Sequence, residues 1–241
     1  MTVRVLRKAV TVLETLSAAG RPVGLAELAR RINYPKPTIY RILRSFLELG
    51  YLARDGATGF YLPTARLALL GRHGQALDLR RRALPALERL HRKFNETVNL
   101  GVLEGDEISY VAYLETTRPL RLMVRPGIKD PFYCTALGRA IAAFLPEREQ
   151  RDLVNRVKFE PLTPKTVRNR PALRKILLET RRRGWAIDDE ECDLGVVCLG
   201  VPLRDGGSPV GAVSITIPRT RLPAGREREI LSELRSIKLP R

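Results

Sequence analysis

The stretch Pro35-Lys36-Pro37-Thr38-Ile39-Tyr40-Arg41-Ile42-Leu43-Arg44-Ser45-Phe46-Leu47-Glu48-Leu49-Gly50 decides how the first part of the chain is read. At about 100° per residue, Ile39, Ile42, Leu43 and Phe46 fall on one arc of a helix. Lys36, Pro37, Tyr40, Arg41, Arg44 and Ser45 fall on the other. Both prolines sit in the first turn, where backbone N–H groups have no helical partner to lose. Gly50 supplies a C-terminal stop. The outer arc holds three cations, an aromatic ring and a hydroxyl, with no acid before Glu48. Such a face fits insertion into a DNA major groove.

Working outward, Val3, Leu6, Val10, Leu13 and Leu16 recur at helical steps and predict a first helix ending at Ala18-Ala19-Gly20. Arg21-Pro22-Val23-Gly24 reads as a connector, and Leu25, Leu28, Ala29 and Ile32 mark a second, short helix. Asn33-Tyr34 is the turn before the quoted helix, which gives a helix-turn-helix. Tyr51 to Arg54, the Gly-rich Asp55 to Gly59 and Phe60 to Leu62 then predict a hairpin. Three helices closed by a hairpin make a winged helix-turn-helix. The candidate DNA-contacting residues are Lys36, Pro37, Thr38, Tyr40, Arg41, Arg44 and Arg54; the alternative for the cations is a solvated face. Thr38 either meets a phosphate or caps the first turn, and Tyr40 either packs across the DNA backbone or stays partly buried.

A net charge of +17 and a pI near 10.6 favour a polyanionic partner, although cations exceed acids in both halves and so do not localise it. The chain of 241 residues, 44% of them hydrophobic, has room for two modest domains with real cores. No apolar run approaches a membrane span, and the start reads as an amphipathic helix rather than a signal peptide. The three cysteines, Cys134, Cys192 and Cys198, are odd in number and irregular in spacing, which argues against a disulfide framework and for a reducing cytoplasm.

Residues 1–64 form the expected DNA-binding domain and residues 65–95 a helical linker, in two pieces from Thr64 to Gly74 and from Gln75 to Asn95, with a kink or restart at Pro85. From residue 96 the pattern alternates. Val98, Leu100 and Val102, then Ile108, Tyr110 and Ala112, flank Glu104-Gly105-Asp106 as a hairpin, and Leu120 to Arg125 reads as a third strand. Helices are expected over Thr135–Leu145, Glu147–Arg156, Pro171–Arg183 and Ala224–Ile237, and strands from Gly184, over Leu194–Leu203 and over Val210–Ile217. This is an α+β, sensor-like (GAF/PAS-like) module: an antiparallel sheet with helices on one face.

The chemistry-bearing residues of this half are sparse. His73 and His91 lie in the linker, far from any cysteine; no zinc-like spacing, P-loop or dinucleotide fingerprint appears, and the sheet region lacks a histidine for a nucleophilic triad. No metal or cofactor is expected. On the strand Val210–Ile217, Val210, Ala212, Ser214 and Thr216 share a face, and Cys198 lies on the neighbouring strand in a register left open by a residue. The hydroxyls either line an otherwise apolar pocket or face solvent.

Several segments together resemble the isocitrate-lyase-regulator (IclR) type of bacterial transcription factors: Val5 to Leu13, Leu25 to Ala29, Lys36 to Leu43, Gly59 to Leu62, Tyr133 to Ala140, and Asp188 to Glu191 with Gly195 and Cys198. Pro37 departs from the serine usual there and removes one hydroxyl from the DNA face. The resemblance implies a small carboxylate effector held by Tyr133, Thr135, Ala136, Leu137, Asp188, Cys198, Ser214 and Thr216. Tyr133-Cys134-Thr135 looks like the branch that senses aromatic acids such as hydroxybenzoate or protocatechuate. It also implies a dimer through the first helix and linker, often paired into a tetramer, on a palindromic double-stranded operator. The resulting expectation is a ligand-responsive, non-enzymatic DNA-binding regulator. Two other readings stand beside it: a DNA-binding protein whose second domain only assembles subunits, and an enzyme domain fused to a DNA-binding head.

Overall fold

The computed structural model describes residues 3–119 and 129–240, omitting the side chains of 68, 69 and 71–73. The expected strand at Leu120–Arg125 lies outside the described residues, as does the side chain of His73. The chain divides into two compact units, Met1–Gln75 and Ala76–Arg241.

In the first unit, α1 (Arg4–Ala18), α2 (Leu25–Ile32) and α3 (Lys36–Glu48) precede a hairpin of β1 (Leu52–Arg54) and β2 (Tyr61–Pro63). Val12, Leu16, Leu28, Ile39, Ile42, Leu43, Leu52 and Tyr61 form its core. The quoted stretch folds as its periodicity dictates, burying Ile39, Ile42 and Leu43. Its end is a Schellman motif around Gly50 at φ +74°: Gly50 N–H donates to Leu47 O at 3.0 Å and Tyr51 N–H to Phe46 O at 2.9 Å. The Phe46 and Tyr51 rings then meet edge to face at 6.4 Å. The α2–α3 turn pivots on Asn33, which takes the left-handed conformation at φ 50°. The connector before α2 does more than connect: Val23 exchanges both backbone hydrogen bonds with Tyr61, adding a bridge to the hairpin.

One helix, α4 (Ala65–Phe94), replaces the two expected linker helices; Pro85 lies inside it without ending it. Its residues Leu79, Ala83, Leu87, Leu90 and Phe94 belong to the core of the second unit. There β3 (Thr97–Glu104), β4 (Glu107–Leu114), β5 (Lys129–Pro131), α5 (Ala136–Ala142), α6 (Glu147–Arg156), α7 (Arg170–Arg183), β6 (Ala186–Asp189), β7 (Val196–Asp205), β8 (Ser208–Pro218) and α8 (Ala224–Arg235) follow. The antiparallel sheet runs β5-β4-β3-β8-β7-β6.

Helices cover both faces of this sheet rather than the one expected, because its central strands are apolar on both sides. Val98, Leu100, Val197, Leu199, Val201, Val213, Ile215 and Ile217 pack with α4 and α8. Ile108 and Ala212 pack with α5 and the helices behind it. Close approach of α5 is possible only without side chains at two points. A Cβ on Gly138 would lie 2.3 Å from the Phe132 backbone, and one on Gly200 would lie 3.1 Å from Ala136 O.

Gly138→Ala should therefore lower the unfolding free energy of the second unit by about 1–3 kcal/mol or more in a denaturant titration. Gly225→Ala, in open space at the start of α8, should leave stability unchanged or slightly raised.

Candidate nucleic-acid interface and ligand site

On α3 the arc opposite the core is open: Lys36, Pro37, Tyr40, Arg41, Arg44 and Ser45 are exposed, and Thr38 is half-buried. The helix begins on Pro35 without a side-chain cap, so the capping alternative for Thr38 does not describe this helix. Tyr40 is 50% exposed, half covered by its neighbours and half open to a partner. Lys36 and Arg41 make no ion pair among the described residues. Arg44 Nε reaches Glu48 at 2.9 Å, a pair open to water on both sides and weak enough to be exchanged for a phosphate.

Arg54 is placed by the hairpin. Its Nε donates to Gly59 O at 2.8 Å and its guanidinium lies 5.8 Å from the Tyr61 ring centre. Asp55 closes the turn, accepting from Thr58 N–H at 2.7 Å and Thr58 Oγ1 at 2.6 Å, and these bonds lower its pKa. The turn is thereby shaped locally, and the Arg54 side chain is oriented along it.

The second group of residues lies on the α5 side of the sheet. The register sets Cys198 opposite Thr216, and Asp188 opposite Cys198. It also sets Asn99 opposite Ser214. The open register of Cys198 is resolved by a bulge. The Gly206-Gly207 turn starts the hairpin with Asp205 opposite Ser208, but Leu203 faces Gly211, so Val210 is an extra residue. Without it, Cys198 would face Ile215 and the polar and apolar sets would not align.

Ser214 and Thr216 are 2% and 6% exposed, so the solvent-facing alternative fails. Asn99 Nδ2 donates to Thr216 Oγ1 at 3.0 Å, and Cys198 Sγ lies 3.3 Å from the same oxygen. Asn99 Oδ1 is buried with no hydrogen-bond partner. The Ser214 hydroxyl has none among the described residues either. An orphaned acceptor beside a free hydroxyl is costly unless a ligand or water completes it.

Asp188 is 3% exposed, and its Oδ1 accepts from Glu191 N–H at 2.8 Å and Cys192 N–H at 3.3 Å. Burial pushes its pKa up to about 6, against the pull of those two N–H groups and of Arg139. Arg139, the cation that Asp188 senses, is itself committed. It is 1% exposed and donates to Tyr133 O at 2.7 Å, Ile187 O at 2.8 Å and, through both terminal nitrogens, Glu191. Burial raises the pKa of Cys198 well above normal, so it offers a weak S–H donor rather than a thiolate.

Two expected effector residues have other work. Thr135 caps α5, accepting from Gly138 N–H at 3.1 Å and donating to Pro131 O at 3.2 Å. Tyr133 bonds both backbone groups of Glu160, and its ring packs on Phe159 at 5.2 Å. Ala136 and Leu137 are buried at the start of α5, where helical geometry leaves their N–H groups unpaired within the helix. Asn99, Tyr110 and Arg139 were not singled out from the sequence. Asn99 stood there as a polar residue between Val98 and Leu100, in step with Ser214 once strands are paired. Tyr110 donates to Asp130 at 2.5 Å; burial above all, then Asp130, raises its pKa.

Residues 5–56 match the IclR helix-turn-helix domain, and residues 73–238 match the bacterial transcriptional regulator IclR C-terminal domain. The chain belongs to the IclR family of transcriptional regulators. It is 32% identical to the HTH-type transcriptional regulator KdgR of Escherichia coli (strain K12), over 89% of this chain and 82% of that one. The crystal structure of the Thermotoga maritima IclR aligns over 95% of this chain and 94% of its own at 30% identity, with a TM-score of 0.64. An IclR homologue from Microbacterium hydrocarbonoxydans complexed with 4-hydroxybenzoate aligns over 97% and 100%, at 26% identity and a TM-score of 0.59. The chain is thus a DNA-binding regulator with an effector-binding domain. Among the described residues no helix is long and apolar enough to cross a membrane.

Asp188 has a folded pKa near 6 and an unfolded one of about 4, so the folded state holds the extra proton between those values. Its contribution to stability should fall as pH rises from about 4 to about 6 and then level off. Asp188→Asn, which keeps an acceptor for Glu191 N–H, should remove that segment from the variant's own curve, so that the difference between the wild-type and variant stability–pH curves falls over that window. Parallel curves would show that Asp188 is not titrating there.

Proposed function

We propose that this IclR-family regulator senses a small carboxylate, an aromatic acid in the first instance, on the α5 side of its sheet. Ligand binding then controls operator affinity. The observation that carries this reading is the buried, donorless Asn99 Oδ1 beside the free Ser214 hydroxyl. A hydroxylated acid supplies the missing donor, while its carboxylate is received by the Ala136 and Leu137 N–H groups and by Ser214 and Thr216. Cys198 and the protonatable Asp188 complete the polar wall. Tyr133 and Thr135 shape the α5 entrance through the bonds described above. The 4-hydroxybenzoate complex of the Microbacterium homologue supports the ligand class.

We infer that α3 reads the major groove through Lys36, Thr38, Tyr40, Arg41 and Arg44, with Pro37 at its tip and Arg54 following the backbone from the hairpin. Val3, Leu6 and Val10 leave an apolar stripe of α1 more than half or half exposed, at 57%, 60% and 50%. A second copy of the chain is its occupant in this reading, and a two-fold dimer on a palindromic operator follows. As a regulator with three free thiols, the protein would work in the cytoplasm.

A thermal-shift screen tests the sensor. 4-Hydroxybenzoate or a related acid should raise the melting temperature in proportion to the logarithm of its concentration, and Ser214→Ala with Thr216→Val should abolish the rise. A panel of aromatic and aliphatic acids without any shift sinks the reading and favours a purely assembling domain; turnover of a bound acid would favour an enzyme.

For the DNA face, Arg41→Ala should weaken operator binding by about 1–3 kcal/mol and relax specificity at one base pair. Leu6→Asp with Val10→Asp should give a monomer by light scattering that binds a half-site no better than random DNA. Unchanged binding and mass would remove both assignments.

A further inference from the structure

Charges on α8 are sorted by face. Glu229 and Glu233 turn towards α4, where Lys93 reaches them at 3.0 and 2.9 Å and Arg89 also pairs with Glu233. Arg228 and Arg235, two turns apart, line a recess of about 540 Å³ with Trp185, Leu231, Ser232 and Ser236. Arg235 is also part of a second cleft of about 650 Å³, whose other cations are Arg181 at the end of α7, Arg204 on β7 and Lys238. Phe144, Leu203, Leu234 and Leu239 give that cleft an apolar floor.

Among the described residues no carboxylate lines either hollow. The acid next to Arg204 in the chain, Asp205, is held by Arg82 at 2.7 Å. Arg204 lies over the Phe144 ring at 4.9 Å, and Arg181, Arg228, Arg235 and Lys238 have no ion pair or hydrogen bond among the described residues. Like charges gathered around a concave, partly apolar surface create a field that favours an anion. The volume suits a small molecule. A monocarboxylate would satisfy one guanidinium; four cations over an apolar floor match several negative charges carried on an apolar or flat body.

We propose that this cleft is a second ligand site, sharing no lining residue with the Asn99, Asp188, Cys198, Ser214 and Thr216 group, and that it binds an organic polyphosphate. A nucleotide and an acyl-coenzyme A share that chemistry. Arg204, already over the Phe144 ring, provides the stacking platform, while Arg181, Arg235 and Lys238 receive the phosphates.

Isothermal titration of the full-length protein at low salt with ATP, octanoyl-coenzyme A and inorganic tripolyphosphate tests it. One organic probe should bind in the micromolar range, about tenfold tighter than tripolyphosphate, and weaken as salt rises. Whichever organic probe wins identifies the source. Arg204→Ala and Arg235→Ala should each cost about tenfold in affinity. The ligand-free melting temperature should stay unchanged, and Lys238→Glu repeats the test if one of them folds poorly. Arg41→Ala and Ser214→Ala should leave binding intact. The proposal is overturned if neither organic probe binds at millimolar concentration. It also fails if tripolyphosphate binds as tightly, or if Arg41→Ala rather than Arg204→Ala removes binding.

Discussion

The second unit depends on one buried ion pair. Arg139 is drawn into the core because Gly138 brings α5 against the Phe132 backbone, and a guanidinium there is tolerable only when nearly all its donors are met. Glu191 meets two nitrogens, and Tyr133 O and Ile187 O take the rest of the described bonds. Glu191 in turn accepts from Val167 N–H at 3.0 Å, so α5, the end of β6 and the loop before α7 are tied to one point. Breaking one half would strand a buried charge, a larger penalty than the pair itself is worth.

That pair also fixes the polar group beside it. Asp188 sits three residues before Glu191 and bonds its N–H, across a turn in which Glu190 takes φ 62°. Because Arg139 is spent on Glu191, it moderates the Asp188 pKa without neutralising the carboxyl. On the proposed reading the α5 side of the sheet therefore recognises ligands by hydroxyl, amide and backbone groups, beside an Asp188 carboxyl that burial pushes up to about 6.

Helical features were the most legible in the sequence. The two arcs of α3 separate because four apolar and six outward-facing residues repeat at the helical period, and the stop at Gly50 needs no distant partner. The faces of β8 were equally readable from alternation. Registers were not. The bulge at Val210 decides whether Cys198 meets Thr216 or Ile215, and nothing local in Ser208-Pro209-Val210-Gly211 announces it. Tyr133 and Thr135 illustrate a second limit: a hydroxyl in the right motif can be consumed by the fold, here by Glu160 and by the cap of α5. Pro85 illustrates a third. A helix continues through a proline when flanking packing offsets the lost hydrogen bond, and Ala83 and Leu87 are both buried around it.

The same alternation that made β8 readable gives it two audiences. Ser214 and Thr216 belong to the polar group on the α5 side, while Val213, Ile215 and Ile217 lie in the cluster that holds Leu79, Leu87 and Leu90 of α4. A ligand can change DNA affinity only if it binds two arrangements unequally. A strand packed on both sides is poorly compressible, so a displacement forced on one face is passed to the other. Helix α4 runs from Ala65 in the first unit to Phe94 in the second, and on the proposed reading it is the covalent link through which ligand binding acts on the DNA-binding head. Adjacency supplies the path; the unequal affinity must come from the polar face itself, where Asn99 still lacks its donor.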